Sequence, residues 1–238
     1  MIKIKKNLKA FLQIMNIIKV TTIDVILSFD KEFLSIKFVH PSNFAMGLIK
    51  LKKGFFDEYN IDKVCNVTID TTEFYKIIKN ISEQEINISV EKENTIIKVS
   101  SKNSFFSLKT YVVPENDKTM PSPEYKSKWI IDTSDFFTLV NNHLEFNNVV
   151  CFSSEGDTLK TLMKSTLVNG EIMVNAKNKL KQDTKCYYDI ELLSIILDIK
   201  TFIPEVEFSF GSDTPCGIKI NNDELELEWI LAPRVEDE

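Results

Sequence analysis

Glycine is scarce in this chain, six in 238 residues, and none falls in a G-x-G-x-x-G or G-x-x-x-x-G-K-[ST] string. The backbone offers no phosphate cradle of the nucleotide-binding kind. Cys65, Cys151, Cys186 and Cys216 are the only cysteines and form no C-x-x-C pair, which excludes a zinc knuckle or a dithiol motif. Buried reduced thiols are expected, as in an intracellular protein. The two histidines, His40 and His143, lie in different halves, and neither neighbours a nucleophile string. The carboxylates are placed as helix caps and tail acids, without metal-ligand spacing. No catalytic residue, metal or cofactor is therefore expected, and the chain does not read as an enzyme. No run approaches the ~18 uninterrupted apolar residues of a membrane span. The lysine-led start is broken by Lys9, Gln13 and Asn16, with no small-residue cleavage site after it.

Apolar residues make up 43% of the chain, ample for a core, and its length suits one large domain or two ordinary ones. The formal net charge of -6 disfavours general coating of nucleic acid. Any DNA surface must be a local basic patch.

Four segments carry a helical period. In the first, Leu8, Phe11, Leu12, Met15 and Ile18 share a face opposite Lys9, Gln13 and Asn16. The second starts with the capping-box-like Asp70-Thr-Thr-Glu73 and turns Phe74, Ile77, Ile78 and Ile81 inward, with Lys76 and Lys79 opposite. The third starts at Asp132-Thr-Ser-Asp135 and sets Phe136, Leu139, Val140 and Leu144 inward. The fourth starts at Asp189 and carries Leu192, Leu193, Ile196 and Leu197. Between them, period-two segments predict strands at 25–29, 33–39, 47–51, 64–69, 86–90, 95–100 and 105–113. The second half adds 129–131, 149–153, 159–164, 171–176, 185–188, 205–210, 217–220 and 224–231.

Pro114, Pro121 and Pro123 punctuate an apolar-poor stretch between the halves, which reads as an extended linker. The organisation is a domain at 1–113, a connector at 114–128 and a second domain at 129–238. Each half has the order helix, strands, helix, strands. The strings Ile69-Asp-Thr-Thr-Glu-Phe and Ile131-Asp-Thr-Ser-Asp-Phe are close copies, although capped strand-to-helix junctions favour such residues in any case. The fold class is α+β, antiparallel sheets with two helices on one face in each half.

The ending Leu227-Glu-Trp-Ile-Leu-Ala-Pro-Arg-Val-Glu-Asp-Glu238 reads as an apolar strand stopped by Pro233, with Ile230, Leu231 and Ala232 as an exposed lip before an acidic tail. This ending resembles that of sliding clamps of the proliferating cell nuclear antigen type. So do Val39-His-Pro-Ser-Asn-Phe-Ala-Met46, Pro121-Ser-Pro-Glu-Tyr125 and Phe208-Ser-Phe-Gly-Ser-Asp-Thr-Pro215, and the resemblance covers the whole chain. It implies a processivity factor whose subunits, three in a homotrimer, close a ring around duplex DNA with the helices lining the hole. A loader, DNA polymerase, nuclease and ligase would then dock through short peptides.

The resemblance assigns DNA contact to Lys9, Lys19, Lys76 and Lys79. It assigns a peptide pocket to Val39, Met46, Met120, Tyr125, Pro215, Ile230, Leu231, Ala232 and Pro233, with Lys118 where the family often has an apolar residue. Phe105–Val113 and Gly170–Lys177 are the candidate edges for ring closure. The second half departs from the pattern: Thr138, Asn141, Asn142 and Glu145 occupy the polar side of its first helix. Glu191, Ser194 and Asp198 occupy that of its second, with Lys200 only at the end. These departures leave open a checkpoint-type or viral clamp subunit in a heteromeric or partial ring. A protein scaffold without a DNA role also remains open. The implied location is the nucleus in a eukaryote, the cytoplasm or nucleoid in an archaeon, or the replication site of a virus.

Overall fold

Among the described residues, three of the four α-helices begin on an aspartate whose carboxylate accepts from the first turn: Asp70 from Glu73 N at 2.8 Å, Asp132 from Ser134 N at 2.8 Å and Asp189 from Leu192 N at 3.0 Å. Each such bond satisfies one of the amide donors that a helix start leaves without a partner, worth about 1 kcal/mol. The computed structural model describes residues 1–81, 85–91, 95–111, 119–146, 148–164, 169–180, 182–201 and 203–235.

The chain divides into two units. The first comprises Met1–Pro41, Gly47–Thr119 and Asn221–Leu227; the second comprises Ser42–Met46, Met120–Ile220 and Glu228–Glu238. In chain order the elements are β1 (Ile2–Ile4), α1 (Leu8–Thr21), β2 (Asp24–Phe29), β3 (Phe33–Val39), β4 (Ala45–Lys52), β5 (Glu58–Tyr59), β6 (Cys65–Asp70), α2 (Thr71–Ile81), β7 (Ile86–Glu91), β8 (Ile96–Ser100) and β9 (Phe105–Lys109). There follow β10 (Ser127–Asp132), α3 (Thr133–Leu144), β11 (Val149–Glu155), β12 (Thr158–Lys164), β13 (Asn169–Val174), β14 (Ala176–Leu180), β15 (Thr184–Asp189), α4 (Ile190–Ser194), β16 (Glu205–Gly211), β17 (Thr214–Asn221), β18 (Leu225–Leu231) and β19 (Pro233–Arg234). A 3-10 helix, Ile195–Thr201, continues α4.

In the first unit, strands run in the orders β5-β1-β7-β8-β9 and β4-β3-β2-β6. In the second, the orders are β14-β10-β16-β17-β18 and β13-β12-β11-β15-β19. Apart from the short β19, the two patterns match element for element. β1 corresponds to β10, α1 to α3, α2 to α4, β4 to β13 and β9 to β18. The fold is a repeat, and the look-alike strings are not its trace: Ile69-Asp-Thr-Thr-Glu-Phe leads into α2 while Ile131-Asp-Thr-Ser-Asp-Phe leads into α3, which are not equivalent. Aspartate capping at a strand-to-helix junction explains the likeness.

Alternation places the core. In β3, Leu34, Ile36 and Phe38 are buried while Lys37 is exposed. The α1 face is broader than its spacing suggests, since Ala10, Ile14 and Ile17 are buried as well, and α1 packs on α2. Leu12 and Ile77, expected inward, are half-buried. The second unit has an aromatic centre: the Phe152 ring lies 4.5 Å from Phe208, which lies 5.4 Å from Phe210 and 5.6 Å from Phe136. Each fully buried phenylalanine contributes about 1.5–3 kcal/mol. Trp129 donates its indole N–H to Ser127 Oγ at 2.6 Å, and that hydroxyl donates to Ser154 Oγ at 2.9 Å, so the buried nitrogen is satisfied.

Other expectations are corrected. Leu144 is exposed, and His143 occupies the buried position at the end of α3, its Nε2 2.8 Å from Thr161 Oγ1. The predicted strand 171–176 is two strands in different sheets, β13 and β14, divided at Asn175. β1, β5 and β19 are too short to show a period.

Burial lowers the pKa of His143 from its ordinary 6.5, and its Nδ1 makes no hydrogen bond among the described residues. The folded chain therefore keeps the ring neutral while the unfolded chain takes up a proton. Stability present above the unfolded pKa is lost as pH falls from about 6.5 towards the depressed folded value. A melting temperature that drops over that range, and drops less in His143→Gln, is the expected outcome of a thermal-melt pH series.

Candidate functional site

The four lysines assigned to DNA lie on the two packed helices of the first unit, Lys9 and Lys19 on α1 and Lys76 and Lys79 on α2. Lys9, Lys76 and Lys79 are exposed, while Lys19 is half-buried with its ammonium 4.5 Å from the centre of the Tyr75 ring. Lys76 bonds Glu73 Oε1 at 2.7 Å, and this contact raises the lysine pKa. The ammonium therefore stays charged, but part of its field is cancelled. On α3, Ser134, Asp135, Thr138, Asn142 and the following Glu145 are exposed. Glu191 is exposed on α4, and the side chains of Asp198 and Lys200 lie outside the described residues.

Most of the predicted pocket residues fall within the second unit, where contacts link them in series. Phe44, two residues before Met46, is 52% exposed and accepts a hydrogen bond at its carbonyl from Ala232 N, 2.7 Å away. Pro233 and Arg234 then pair with Tyr188 and Tyr187 as β19. Tyr188 donates its phenol proton to Thr214 O at 2.8 Å, beside Pro215. Tyr125 lies over Gly217, where a Cβ would stand only 2.2 Å from its phenol oxygen. That oxygen is buried without a hydrogen-bond partner among the described residues, and burial, then Cys216, Glu228 and Glu207, push its pKa up. Met120 is half-buried, and so is Val39, which belongs to the first unit. Lys118 and the tail 236–238 lie outside the described residues.

The exposed lip is corrected. Ile230 and Leu231 are buried, as is Met46, while Ala232 and Pro233 remain partly accessible. Trp229, Ile230 and Leu231 are buried in succession, so both faces of β18 are covered at its end, a condition no alternation can reveal. Pro233 does not end pairing either, because a proline carbonyl still accepts and the chain moves to the edge of β15.

Arg234 went unnoticed in the sequence. Its guanidinium binds Asp189 Oδ2 at 2.5 Å and lies 5.9 Å from the centre of the Phe44 ring. Asp189 thus caps α4 with one oxygen and holds the chain end with the other. A lone arginine in an acidic ending gives no spacing signal.

Two sheet edges carry exposed apolar side chains. β9 ends its sheet, with Phe105 62% exposed and Phe106 also exposed; Tyr111, beyond β9, bridges Thr68 of β6 instead. β13 ends the sheet of the second unit that corresponds to β4-β3-β2-β6, with Met173 67% exposed; Leu144, the last residue of α3, and Phe146 just beyond it are exposed too. The anticipated range 170–177 reaches too far, since Ala176 begins β14. Their equivalents are paired within the first unit, to which Leu225–Leu227 of β18 belongs: that part of β18 borders β4, and Lys52 N donates to Glu224 O at 2.9 Å. Lys52 also meets Glu226 at 3.1 Å.

Among the described residues no group of three His, Cys, Asp or Glu side chains could hold a metal ion, and no helix is long and apolar enough to cross a membrane. No protein-family model matches the chain. It is 21% identical to DNA polymerase sliding clamp 2 of Sulfurisphaera tokodaii, over 92% of this chain and 93% of the other. It is 25% identical to the DNA polymerase sliding clamp of Methanosarcina barkeri, over 90% and 91% of the two chains. Among solved structures, one from the PCNA2-PCNA3 complex of Sulfolobus tokodaii superposes with a TM-score of 0.88 at 19% identity, covering 98% of each chain.

Proposed function

We propose that this chain, a member of the sliding-clamp family of the proliferating cell nuclear antigen type, closes head to tail into a ring that surrounds duplex DNA and tethers a DNA polymerase to it. The observation that carries the proposal is the pair of unmatched edges. β4 is bordered by β18, and their equivalents β13 and β9 have no outer partner strand among the described residues. Pairing β9 of one copy with β13 of the next would repeat between chains the kind of strand pairing that the Leu225–Leu227 part of β18 makes with β4 inside the first unit. An apolar unpaired edge is a hazard that such pairing removes. A head-to-tail contact either closes or grows without end, and three copies are the closed form the family resemblance implies.

The role needs no covalent chemistry. A ring leaves DNA only by opening or by running off an end, so each polymerase release is followed by local recapture at high effective concentration. Sliding requires attraction to phosphates without base readout, and scattered lysines provide it. Polymerase, nuclease and ligase peptides would dock where Phe44, Tyr125, Ala232, Pro233 and Pro215 present partly accessible apolar and aromatic surface, with Met46, Ile230 and Leu231 as supporting core. This work takes place at the site of replication.

A mixed ring is the second reading, favoured by the absence of any lysine or arginine on α3 and α4. The mass of the purified chain separates the two. About three copies supports a ring of one chain type, and a single copy supports a mixed or partial ring. Retention on nicked circular DNA after loading, with rapid loss once the circle is cut, is expected for encirclement. Equal loss from circular and linear DNA would refute it.

A further inference from the structure

The equivalent helices of the repeat differ in charge. α1 and α2 carry Lys9, Lys19, Lys76 and Lys79 against one acid, Glu73. α3 and α4 carry Asp135 and Glu191 and no lysine or arginine. The sequence contains neither cation from Trp129 to Leu159 or from Cys186 to Ile199. His143, at the end of α3, is buried with its pKa lowered. Strand lysines of the second unit are engaged with carboxylates: Lys160 with Glu155 at 3.0 Å, Lys179 with Glu207 at 2.9 Å and Lys219 with Glu228 at 2.8 Å.

We propose that each copy holds duplex DNA through its first unit alone, with Lys9, Lys19, Lys76 and Lys79 meeting phosphates while the outer faces of α3 and α4 line the hole without binding. The inference rests on the ring reading. In such a ring, attractive and neutral-to-acidic arcs alternate. At physiological salt, charges interact over about 8 Å, so Asp135, Glu145 and Glu191 repel only backbone that comes near them. The duplex is drawn to the lysine arcs, and the number of released counterions is set by the first unit. Alternating grip also weakens the total attraction, which favours sliding over pinning.

The test is the salt dependence of binding to a fluorescein-labelled duplex of about 30 base pairs, followed by anisotropy from low salt upwards. Each phosphate neutralised contributes about -0.9 to the slope of log K against log salt. With Lys9, Lys19, Lys76 and Lys79 all changed to Ala, the slope is expected to fall nearly to zero. With Thr138→Lys and Asn142→Lys in the otherwise unaltered chain, it is expected to steepen, because cations now occupy an arc that had none. A quadruple variant that keeps more than half the original slope overturns the inference, and so does an unchanged slope in the lysine-gain variant. Native mass spectrometry of the same samples separates the two ideas: an intact oligomer with either adverse slope overturns this inference alone. A wild-type chain that stays single when mixed with other clamp chains overturns the ring reading and this inference together.

Discussion

Changing Phe105 and Phe106 to Asp is expected to reduce the assembly to single chains of 27.5 kDa without unfolding them. Both rings are exposed on β9 in the isolated chain, so the change removes little core packing, and the melting temperature of the monomer should barely move. An aspartate on the edge places charge where the next copy's Met173, Leu144 and Phe146 would otherwise cover apolar surface, and a charge buried there without a partner is costly. Met173→Asp should do the same from the other side.

Mixing the two variants gives the decisive result. The Phe variant keeps a sound β13 edge and the Met variant a sound β9 edge, so together they can make one contact and no second. A one-to-one dimer is expected, and retention on circular DNA should fall at least about tenfold, equivalent to 1.4 kcal/mol. Rings that persist in either variant alone would refute the assignment of the edges.

Gly217→Val is expected to weaken peptide docking while lowering stability moderately. The new Cβ would stand 2.2 Å from the phenol oxygen and 2.9 Å from Cζ of Tyr125, so the ring must leave its place over β17. Overpacking of this kind costs about 1–3 kcal/mol. If Tyr125 is an anchor for partner peptides, its displacement should weaken a polymerase-derived clamp-binding peptide at least about tenfold, measured by calorimetry. Tyr125→Ala in the Gly217→Val background removes the clash, so it should restore the melting temperature without restoring binding. A double variant that recovers both would show that Tyr125 takes no part in docking.

Much of this architecture was legible in the sequence because local chemistry and the global fold agree. Asp70, Asp132 and Asp189 marked three helix starts, and alternation in β3 and β8 marked strands whose two faces differ. The repeat was legible only coarsely. Its real evidence is strand order, which no local string encodes, and the most similar strings lie at non-equivalent junctions.

The residues of the proposed pocket were harder still to place. Ile230 and Leu231 end β18 with both faces covered, whereas one-sided burial is what alternation reports. Leu144, expected inward, is exposed, and His143 takes the buried position because Thr161 gives the imidazole a partner in the core. Tyr125 was recognisable beside its prolines, but the bare surface of Gly217 beneath it depends on a strand far along the chain.

The composition of the first unit has a bearing on synthesis. Its residues up to Thr119 emerge from the ribosome well before Asn221–Leu227, the segment that completes it. At roughly 5–20 residues per second, about a hundred intervening residues correspond to a delay on the order of 5–20 s. Throughout that interval the β4 side of the nascent unit lacks its bordering strand and is open to wrong pairing, including with another emerging chain. Slower translation across 120–220 is then expected to lengthen that exposure and lower the yield of correctly folded chain.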